Sequence, residues 1–349
     1  MRAAVLLSAL AVGCVPDLDT DDATVTGPIV LAVQAEPAEA AAGQAVTYRS
    51  LFVTSNGSTP GGRLSWFHCE ARKPAAELGP VSRECFDAAG DKLVSIGKGL
   101  EVQGTMPSQA CAQFGPNPPK PEGDSPPGRP ADPDATGGYK QPVILGVVPD
   151  QGQPKTVLYE QRLYCGLAGV DPKTSGEFNQ RYRRNVNPRV DYVDVKRAGG
   201  ERTSLGDADV LQVRAGETLE LAAHWAHCPS QAEDVCGDGI CSIHELAASC
   251  TDDCAKPVPP GCPGQEEYLW LDVQAGALVS RYESLSLAWY ATAGVYADER
   301  TGVAEEERAE STSNEWTAPS KAGEHKLWLV LRDSRGGVGF RELRVVVSP

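Results

Sequence analysis

Short runs of apolar residues, each bounded by turn-forming residues, recur along most of the chain. In 45–53, the side chains of Val46, Tyr48 and Phe52 share one face when the backbone is extended. Alternation of this kind predicts a half-buried β-strand. Similar runs occur at 29–33, 64–69, 143–148, 156–164, 191–195, 210–213, 218–225, 268–271, 285–290, 326–331 and 340–347. The pattern therefore predicts an all-β fold.

Two stretches interrupt the strand pattern. Nine of the 28 residues 115–142 are proline, which lacks the N–H that a β-ladder needs, so we expect a surface excursion there. A binding loop for a partner is the alternative interpretation. Residues 171–189 are polar and contain the basic cluster 180–184, which indicates a solvated linker or a contact with anionic lipid headgroups. We therefore expect a first domain at 28–170 and a second at 190–349.

The last 70 residues carry several short motifs. They are Leu-Ala-Trp-Tyr at 287–290, Trp-Thr-Ala-Pro at 316–319, Ala-Gly at 322–323 and Leu-Arg-Asp at 331–333 followed by Gly-Gly at 336–337. These motifs resemble the immunoglobulin-like modules of bacterial surface proteins, in particular the polycystic-kidney-disease (PKD-like) type. The resemblance implies a two-sheet sandwich with Trp289 in its core. The dipeptide Ala-Gly at 42–43 recurs at 215–216, and the pattern Trp-x-His-Cys at 66–69 recurs at 225–228. We therefore expect two immunoglobulin-like β-sandwich domains.

The first fourteen residues have the order of charge, apolar run and small residues that marks an exported protein. Arg2 precedes the apolar segment 3–10, and Leu-Ala-Val-Gly-Cys at 10–14 resembles a bacterial lipobox. Cleavage of a signal peptide at 1–13 leaves Cys14 to carry lipid, followed by an acidic tether to residue 27. An ordinary signal peptide cut elsewhere is the alternative. We expect a lipoprotein of the bacterial cell envelope, anchored at the outer membrane.

The balance of charge restricts the partners. The chain has 47 acidic and 32 basic residues and a formal net charge of −15. An acidic surface repels phosphate backbones, which argues against nucleic-acid binding. The expected partners are therefore the membrane, through the N-terminal lipid, and a protein or glycan.

The cysteines also indicate export. Eleven are present, and ten remain when Cys14 is set aside for lipid, as expected for disulfides in an oxidising compartment. The ten form two even groups, Cys69, Cys85, Cys111 and Cys165, and then Cys228, Cys236, Cys241, Cys250, Cys254 and Cys262. We expect pairing within each group and a Cys228–Cys262 clamp at the base of an insert, 228–262. A zinc site formed by His224, His227 and Cys228 is the alternative.

Part of this insert, 234–245, resembles the small Cys-Gly-Asp-Gly modules of secreted bacterial proteins. It also matches the spacing of an EF-hand loop, which takes ligands at positions 1, 3, 5, 7, 9 and 12 and glycine at 6. The expected Ca²⁺ ligands are Asp234, Asp238, the carbonyl of Ile240, Ser242 and a bidentate Glu245. Cysteine stands at the third position, where a carboxylate or amide is usual. The alternative is a set of tight turns between disulfides.

The sequence contains neither a Gly-x-Ser-x-Gly nucleophile elbow nor a His-Glu-x-x-His zinc helix. We therefore expect a lipid-anchored envelope protein with a structural, adhesive or interaction role and no catalysis. One alternative is a surface module for a small ligand or glycan, which exposed aromatic residues clustered on one face would favour. Another is an exported enzyme, which a deep pocket with convergent carboxylates would favour.

Overall fold

The computed structural model describes residues 23–74, 77–87, 90–116, 138–167, 169–228, 236–237, 242–245, 250–254 and 261–349. As predicted, these residues form an all-β fold, in which two β-sandwiches account for most of the strands. In the described ranges, no helix has the length and apolar character needed to cross a bilayer.

The first sandwich packs a three-stranded sheet against a five-stranded sheet. Its strands are β1 (Ile29–Glu36), β2 (Glu39–Ala40), β3 (Ala45–Val53), β4 (Gly62–Cys69), β5 (Leu93–Lys98), β6 (Glu101–Thr105), β7 (Gly138–Pro149) and β8 (Lys155–Tyr164). The strand orders are β1–β3–β6 and β2–β8–β7–β4–β5. A 3₁₀ helix at Arg83–Phe86 and helix α1 (Ala110–Phe114) lie in the connections. Tyr48, Trp66 and Leu145 are fully buried between the two sheets.

Strand β7 corrects one boundary of the predicted proline-rich excursion, 115–142. Its first five residues, including Pro142, pair with β8, whereas pairing with β4 begins only at Val143. At Pro142 the strand therefore has a neighbour on one side, and a ladder tolerates a missing N–H at such a position. Residues 117–137 of the excursion lie outside the described residues.

The remaining strands form the second sandwich and a separate hairpin. They are β9 (Val190–Arg197), β10 (Arg202–Leu205), β11 (Val210–Arg214), β12 (Thr218–Trp225), β13 (Glu267–Asp272), β14 (Ala277–Tyr282), β15 (Leu285–Ala291), β16 (Val295–Tyr296), β17 (Arg300–Val303), β18 (Ser311–Thr317), β19 (Gly323–Asp333) and β20 (Val338–Ser348). The two sheets have the orders β10–β9–β12–β18–β16 and β11–β20–β19–β15–β17, and β13 pairs with β14 alone. Trp289 and Trp316 fill the core, where the PKD-like resemblance places Trp289.

The two sandwiches pack side by side through an apolar contact. Trp328 and Val330 of β19 and Ala288 of β15 face Leu31 of β1 and Val53 of β3. The alternate residues of the same two strands point into the second core. Strands β15 and β19 are thus buried on both faces, and the first sandwich covers the face that would otherwise meet solvent.

The last part of the predicted acidic tether, 14–27, is not solvated. Ala23 and Val25 are buried. The N–H of Val25 donates to the carbonyl of Ala291, and the N–H of Ala291 donates to the carbonyl of Ala23, both at 2.9 Å. The chain therefore bonds to the second sandwich before it enters β1 of the first. Residues 14–22 lie outside the described part of the chain.

The prediction of a solvated linker at 171–189 is also wrong. Helix α2 spans Pro172–Arg181, and Asp171 is its N-cap. The side chain of Asp171 accepts hydrogen bonds from the first free N–H groups of the helix. Phe178 is fully buried with Leu269 and Leu271 of the β13–β14 hairpin. The segment is therefore a packed element between the sandwiches, while the domain boundaries themselves stay a prediction.

Candidate functional site

A cluster of buried charges lies where the two sandwiches and the 171–189 segment meet. Arg335, which is 2% exposed, stands in the turn between β19 and β20. Its Nε lies 2.6 Å from Oε1 of Glu283, and its Nη2 lies 2.5 Å from Oε2 of Glu266. Its Nη1 donates to the carbonyl of Arg183 at 3.0 Å, and its guanidinium stands 4.9 Å from the ring centre of Tyr268. All three nitrogens of the guanidinium therefore contact protein oxygens, and the side chain is enclosed.

The β19–β20 turn holds Arg335 in this position. Oδ1 of Asp333 accepts the N–H of Arg335 at 2.9 Å and the N–H of Gly337 at 2.8 Å. Gly336 between them has a φ of 101°, a conformation that residues with a Cβ rarely adopt. Nδ2 of Asn185 donates to Oδ1 of Asp333 at 3.1 Å, so the 171–189 segment braces the turn.

The first sandwich contributes Glu39 of β2 to the same region. Its Oε2 accepts the hydroxyl of Tyr182 and the N–H of Asn185, both at 2.8 Å. Nε of Arg162 lies 3.4 Å from its Oε1. Because Asn185 also bonds to Asp333, hydrogen bonds run without a break from the first sandwich through this segment to the Arg335 turn.

Burial sets the electrostatics of this charged cluster. It raises the pKa of Glu283 well above its ordinary value, and also those of Glu266 and Asp333, against the opposing effect of Arg335. Burial lowers the pKa of Arg335, but Glu283 and Glu266 together raise it well above the usual range. The buried charged groups of this region include the carboxyls of Glu39, Glu266, Glu283 and Asp333 and the guanidiniums of Arg162, Arg183 and Arg335.

The alternatives from the sequence receive no support from the described surface. Phe86 and Tyr192 are the large aromatic side chains that stand exposed among the described residues, and they lie on different sandwiches. A cavity of about 390 Å³ lies beside 24–31 and 149–155, and its lining includes Lys155 but no carboxylate. The two exposed aromatic side chains do not form a shared surface for a glycan. The cavity does not offer the pair of acids that catalysis there would need.

The zinc alternative at His224, His227 and Cys228 is wrong. His224 and His227 contact separate carboxylates, Asp194 at 3.1 Å and Glu310 at 2.6 Å. Cys228 is oxidised in a disulfide. The site would need a thiolate at Cys228, and none is available.

The disulfides fall within the two predicted groups of cysteines. The pairs are Cys69–Cys85, Cys111–Cys165, Cys228–Cys262 and Cys236–Cys250. Cys254 is disulfide-bonded as well. Cys14 and Cys241 lie outside the described residues. The Cys228–Cys262 bond closes the base of the insert, in the position predicted for the clamp.

Two of the five predicted calcium ligands, Ser242 and Glu245, are described, whereas Asp234, Asp238 and Ile240 are not. The N–H of Ser242 donates to Oε2 of Glu245 at 3.1 Å, and the N–H of His244 donates to Oγ of Ser242 at 3.2 Å. The two side chains therefore each accept a backbone N–H within this short turn. The described residues do not by themselves bring three His, Cys, Asp or Glu side chains together as metal ligands.

The insert is docked onto the rest of the molecule. Ile243 is fully buried and packs with Phe178 of α2 and Leu269 of β13. Nε of Arg181 donates to the carbonyl of Ile243. The disulfide-stapled insert therefore shares an apolar cluster with the segment that joins the sandwiches.

No model of a known protein family matches the chain, and no curated protein matches it in sequence. Among solved structures, the fibronectin(III)-like modules of Clostridium thermocellum CbhA are 10% identical with a TM-score of 0.18, and the match covers 91% of this chain and 94% of that one. The adhesin InvE of Yersinia pseudotuberculosis is 10% identical with a TM-score of 0.20, over 90% and 58% of the two chains. The C-terminal domain of the Streptococcus pyogenes antigen I/II-family protein AspA is 9% identical with a TM-score of 0.20, over 93% and 100%. TM-scores this low describe little shared geometry, so these proteins support no function for this chain.

Proposed function

We propose that this chain is a lipid-anchored protein of the bacterial cell envelope with a structural or adhesive role and no catalytic activity. The observation that carries the proposal is the junction between the sandwiches. An apolar face, a packed segment and a buried charged cluster join the two sandwiches there. The carboxyls of this cluster are engaged by internal partners, which suits a structural joint better than an active site.

The start of the described chain supports a short distance between the sandwiches and the membrane. Ala23 is bonded to Ala291 in the second sandwich. Nine residue positions separate Ala23 from Cys14, and a chain of that length spans at most ~30 Å. A lipid on Cys14 would therefore keep the second sandwich close to the bilayer surface.

Replacement of Cys14 tests the anchor. Wild type, Cys14→Ser and the control Ala11→Leu are expressed in a Gram-negative host that is fed an alkyne-tagged fatty acid. We expect wild type and Ala11→Leu to carry the tag and sediment with membranes after a carbonate wash. Cys14→Ser should be untagged and soluble. If Cys14→Ser carries the tag and sediments like wild type, the anchor lies elsewhere.

A second experiment tests the absence of catalysis. The purified full-length chain is assayed against a panel of ester, peptide, glycoside and phosphate substrates. Reproducible turnover that one carboxylate or serine substitution abolishes would overturn the structural role. A panel without turnover, together with an envelope or adherence defect in cells carrying Cys14→Ser, is the outcome that we expect.

A further inference from the structure

A small cavity lies at one end of the second sandwich, where the pairing of β12 with β18 stops. The last pair of this ladder is His224 with Ser311. A cavity of about 200 Å³ lies just beyond that pair, between residues 226–228 and 308–310. Clefts for drug-sized ligands measure about 300–1,000 Å³, so this one suits a smaller molecule.

Gln265 lines this cavity and carries a hydrogen-bond acceptor that the protein does not use. It is 4% exposed, and its Nε2 donates to the carbonyls of Ala304 at 3.1 Å and Glu307 at 2.7 Å. Reversing the amide would turn its oxygen toward those two carbonyl oxygens, so the orientation is fixed. Among the residues that the structure describes, Oε1 has no donor. A buried acceptor without a donor is costly, which favours a ligand that supplies an N–H or O–H.

Two opposite charges line the same cavity. Cζ of Arg308 lies 3.5 Å from the ring centre of Tyr282, and its Nη2 donates to the carbonyl of Cys228 at 3.4 Å. No carboxylate in the described part of the chain forms an ion pair with Arg308. The carboxylate of Glu310 contacts Nδ1 of His227 through Oε1 at 2.6 Å, and its side chain is 61% exposed. The cavity therefore presents an unpaired cation and an accessible anion beside the unused amide oxygen.

We infer that this cavity binds a small zwitterion of the α-amino acid class. The ammonium donates to Oε1 of Gln265 and contacts the carboxylate of Glu310, while the carboxylate of the ligand binds the guanidinium of Arg308. A neutral ligand would leave both charges without a partner, and a ligand of one charge would match only one of them. Recognition depends on charge and hydrogen bonds, and not on the exposed aromatic side chains expected of a glycan surface. The site adds ligand binding to a structural role and requires no catalysis.

Calorimetry on the full-length oxidised chain in detergent tests this site without any substitution in the protein. L-Alanine should bind at one site at millimolar concentration or below. Propionate lacks the ammonium, ethylamine lacks the carboxylate, and trimethyl-L-alanine keeps both charges but has no N–H to donate. Each analogue should bind at least ~10-fold more weakly than L-alanine, because each loses a charge-assisted hydrogen bond. Equal binding of trimethyl-L-alanine and L-alanine would overturn the role of Gln265, and with it the inference.

Variants then locate the site. Arg308→Met and Glu310→Gln should each weaken the binding of L-alanine at least ~10-fold, because each removes one of the two charges. Glu306→Gln is the matched control, since Glu306 is exposed on the same connection between β17 and β18 and does not line the cavity. Absence of binding heat with L-alanine and with a mixture of the other common amino acids would overturn the inference. Equal binding by wild type, Arg308→Met and Glu310→Gln would also overturn it, and neither outcome bears on the lipid anchor, which Cys14→Ser tests separately.

Discussion

Replacing Arg335 with methionine removes the guanidinium that contacts Glu283 and Glu266 at 2.6 and 2.5 Å. Methionine keeps much of the length of the side chain but none of its charge. Both carboxyls then remain buried without that partner, and the carbonyl of Arg183 loses its donor. Breaking a buried ion pair by removing one partner costs about 3–5 kcal/mol. Because Arg335 is fully enclosed and has two carboxyl partners, we expect a loss of folding free energy in the upper part of that range.

The loss should depend on pH. Burial already raises the pKa values of Glu283 and Glu266, and removal of Arg335 takes away the charge that opposes the rise. A carboxyl whose folded-state pKa lies above its unfolded value binds its proton more tightly when folded. Its stabilising contribution is therefore complete below the unfolded value and is lost as pH rises toward the folded value. The deficit of Arg335→Met should be largest at neutral pH and should shrink as pH falls toward about 4.

Urea unfolding of oxidised protein, followed by tryptophan fluorescence at several pH values, measures this loss. The control is Arg49→Met, since Arg49 makes an ion pair with Glu101 at 2.6 Å but its side chain is 48% exposed. Exposed pairs contribute less than ~1 kcal/mol, so this variant should unfold close to wild type. If Arg335→Met loses no more stability than Arg49→Met at neutral pH, the charged cluster does not hold the junction together. A loss that grows on acidification would refute the electrostatic explanation.

Two further predictions concern packing and a buried histidine. Phe178→Ala should cost about 3–5 kcal/mol, because it empties a fully buried site between α2 and the hairpin. Exposed Gln180→Ala should change stability by less than ~0.5 kcal/mol in the same denaturation assay. Burial lowers the pKa of His68 to about 4, so wild-type stability should fall by about 3 kcal/mol as pH drops from ~6.5 to ~4. His68→Gln should flatten that part of the stability profile, and an unchanged profile would contradict the assignment.

The alternation of apolar and polar residues was enough to predict an all-β fold, whereas the sandwich arrangement was implied by the resemblance to immunoglobulin-like modules. Each of the twelve runs singled out in the sequence overlaps a strand, because the period of two is a local property of an extended backbone. Several strands escaped this pattern. Strands β10 and β17 are short and largely polar, β16 has only two residues, and β5 and β6 contain glycines and charged residues. Their positions depend on neighbouring strands more than on their own periodicity.

One signal of the contact between the sandwiches was present in the sequence. Residues 327–331 read Leu-Trp-Leu-Val-Leu, with no alternation. A strand with only one buried face would alternate, whereas a strand buried on both faces is apolar throughout. The structure buries Leu329 in the second core and Trp328 against the first sandwich. The run predicts a second covering layer but not which part of the chain supplies it.

The polar composition of 171–189 led to the wrong prediction of a solvated linker. Tyr182 and Asn185 are polar and were expected in solvent, yet both are buried. Their hydrogen-bonding groups find Glu39 and Asp333, which lie about 150 positions away on either side. Composition indicates solvent exposure only when such partners are absent, and local sequence does not show whether they are present.

The sequence by itself therefore determined the longer strands and the grouping of the cysteines, because these follow from side-chain periodicity and composition along short stretches. Only the tertiary structure decided which charged side chains are buried together in the cluster. Arg335 stands in an Asp-Ser-Arg-Gly-Gly turn that suggests an exposed side chain, and its partners Glu266 and Glu283 are 69 and 52 residues away. A buried charge is stable only where partners surround it, and here those partners come from segments that are distant in the sequence and meet only in the folded chain.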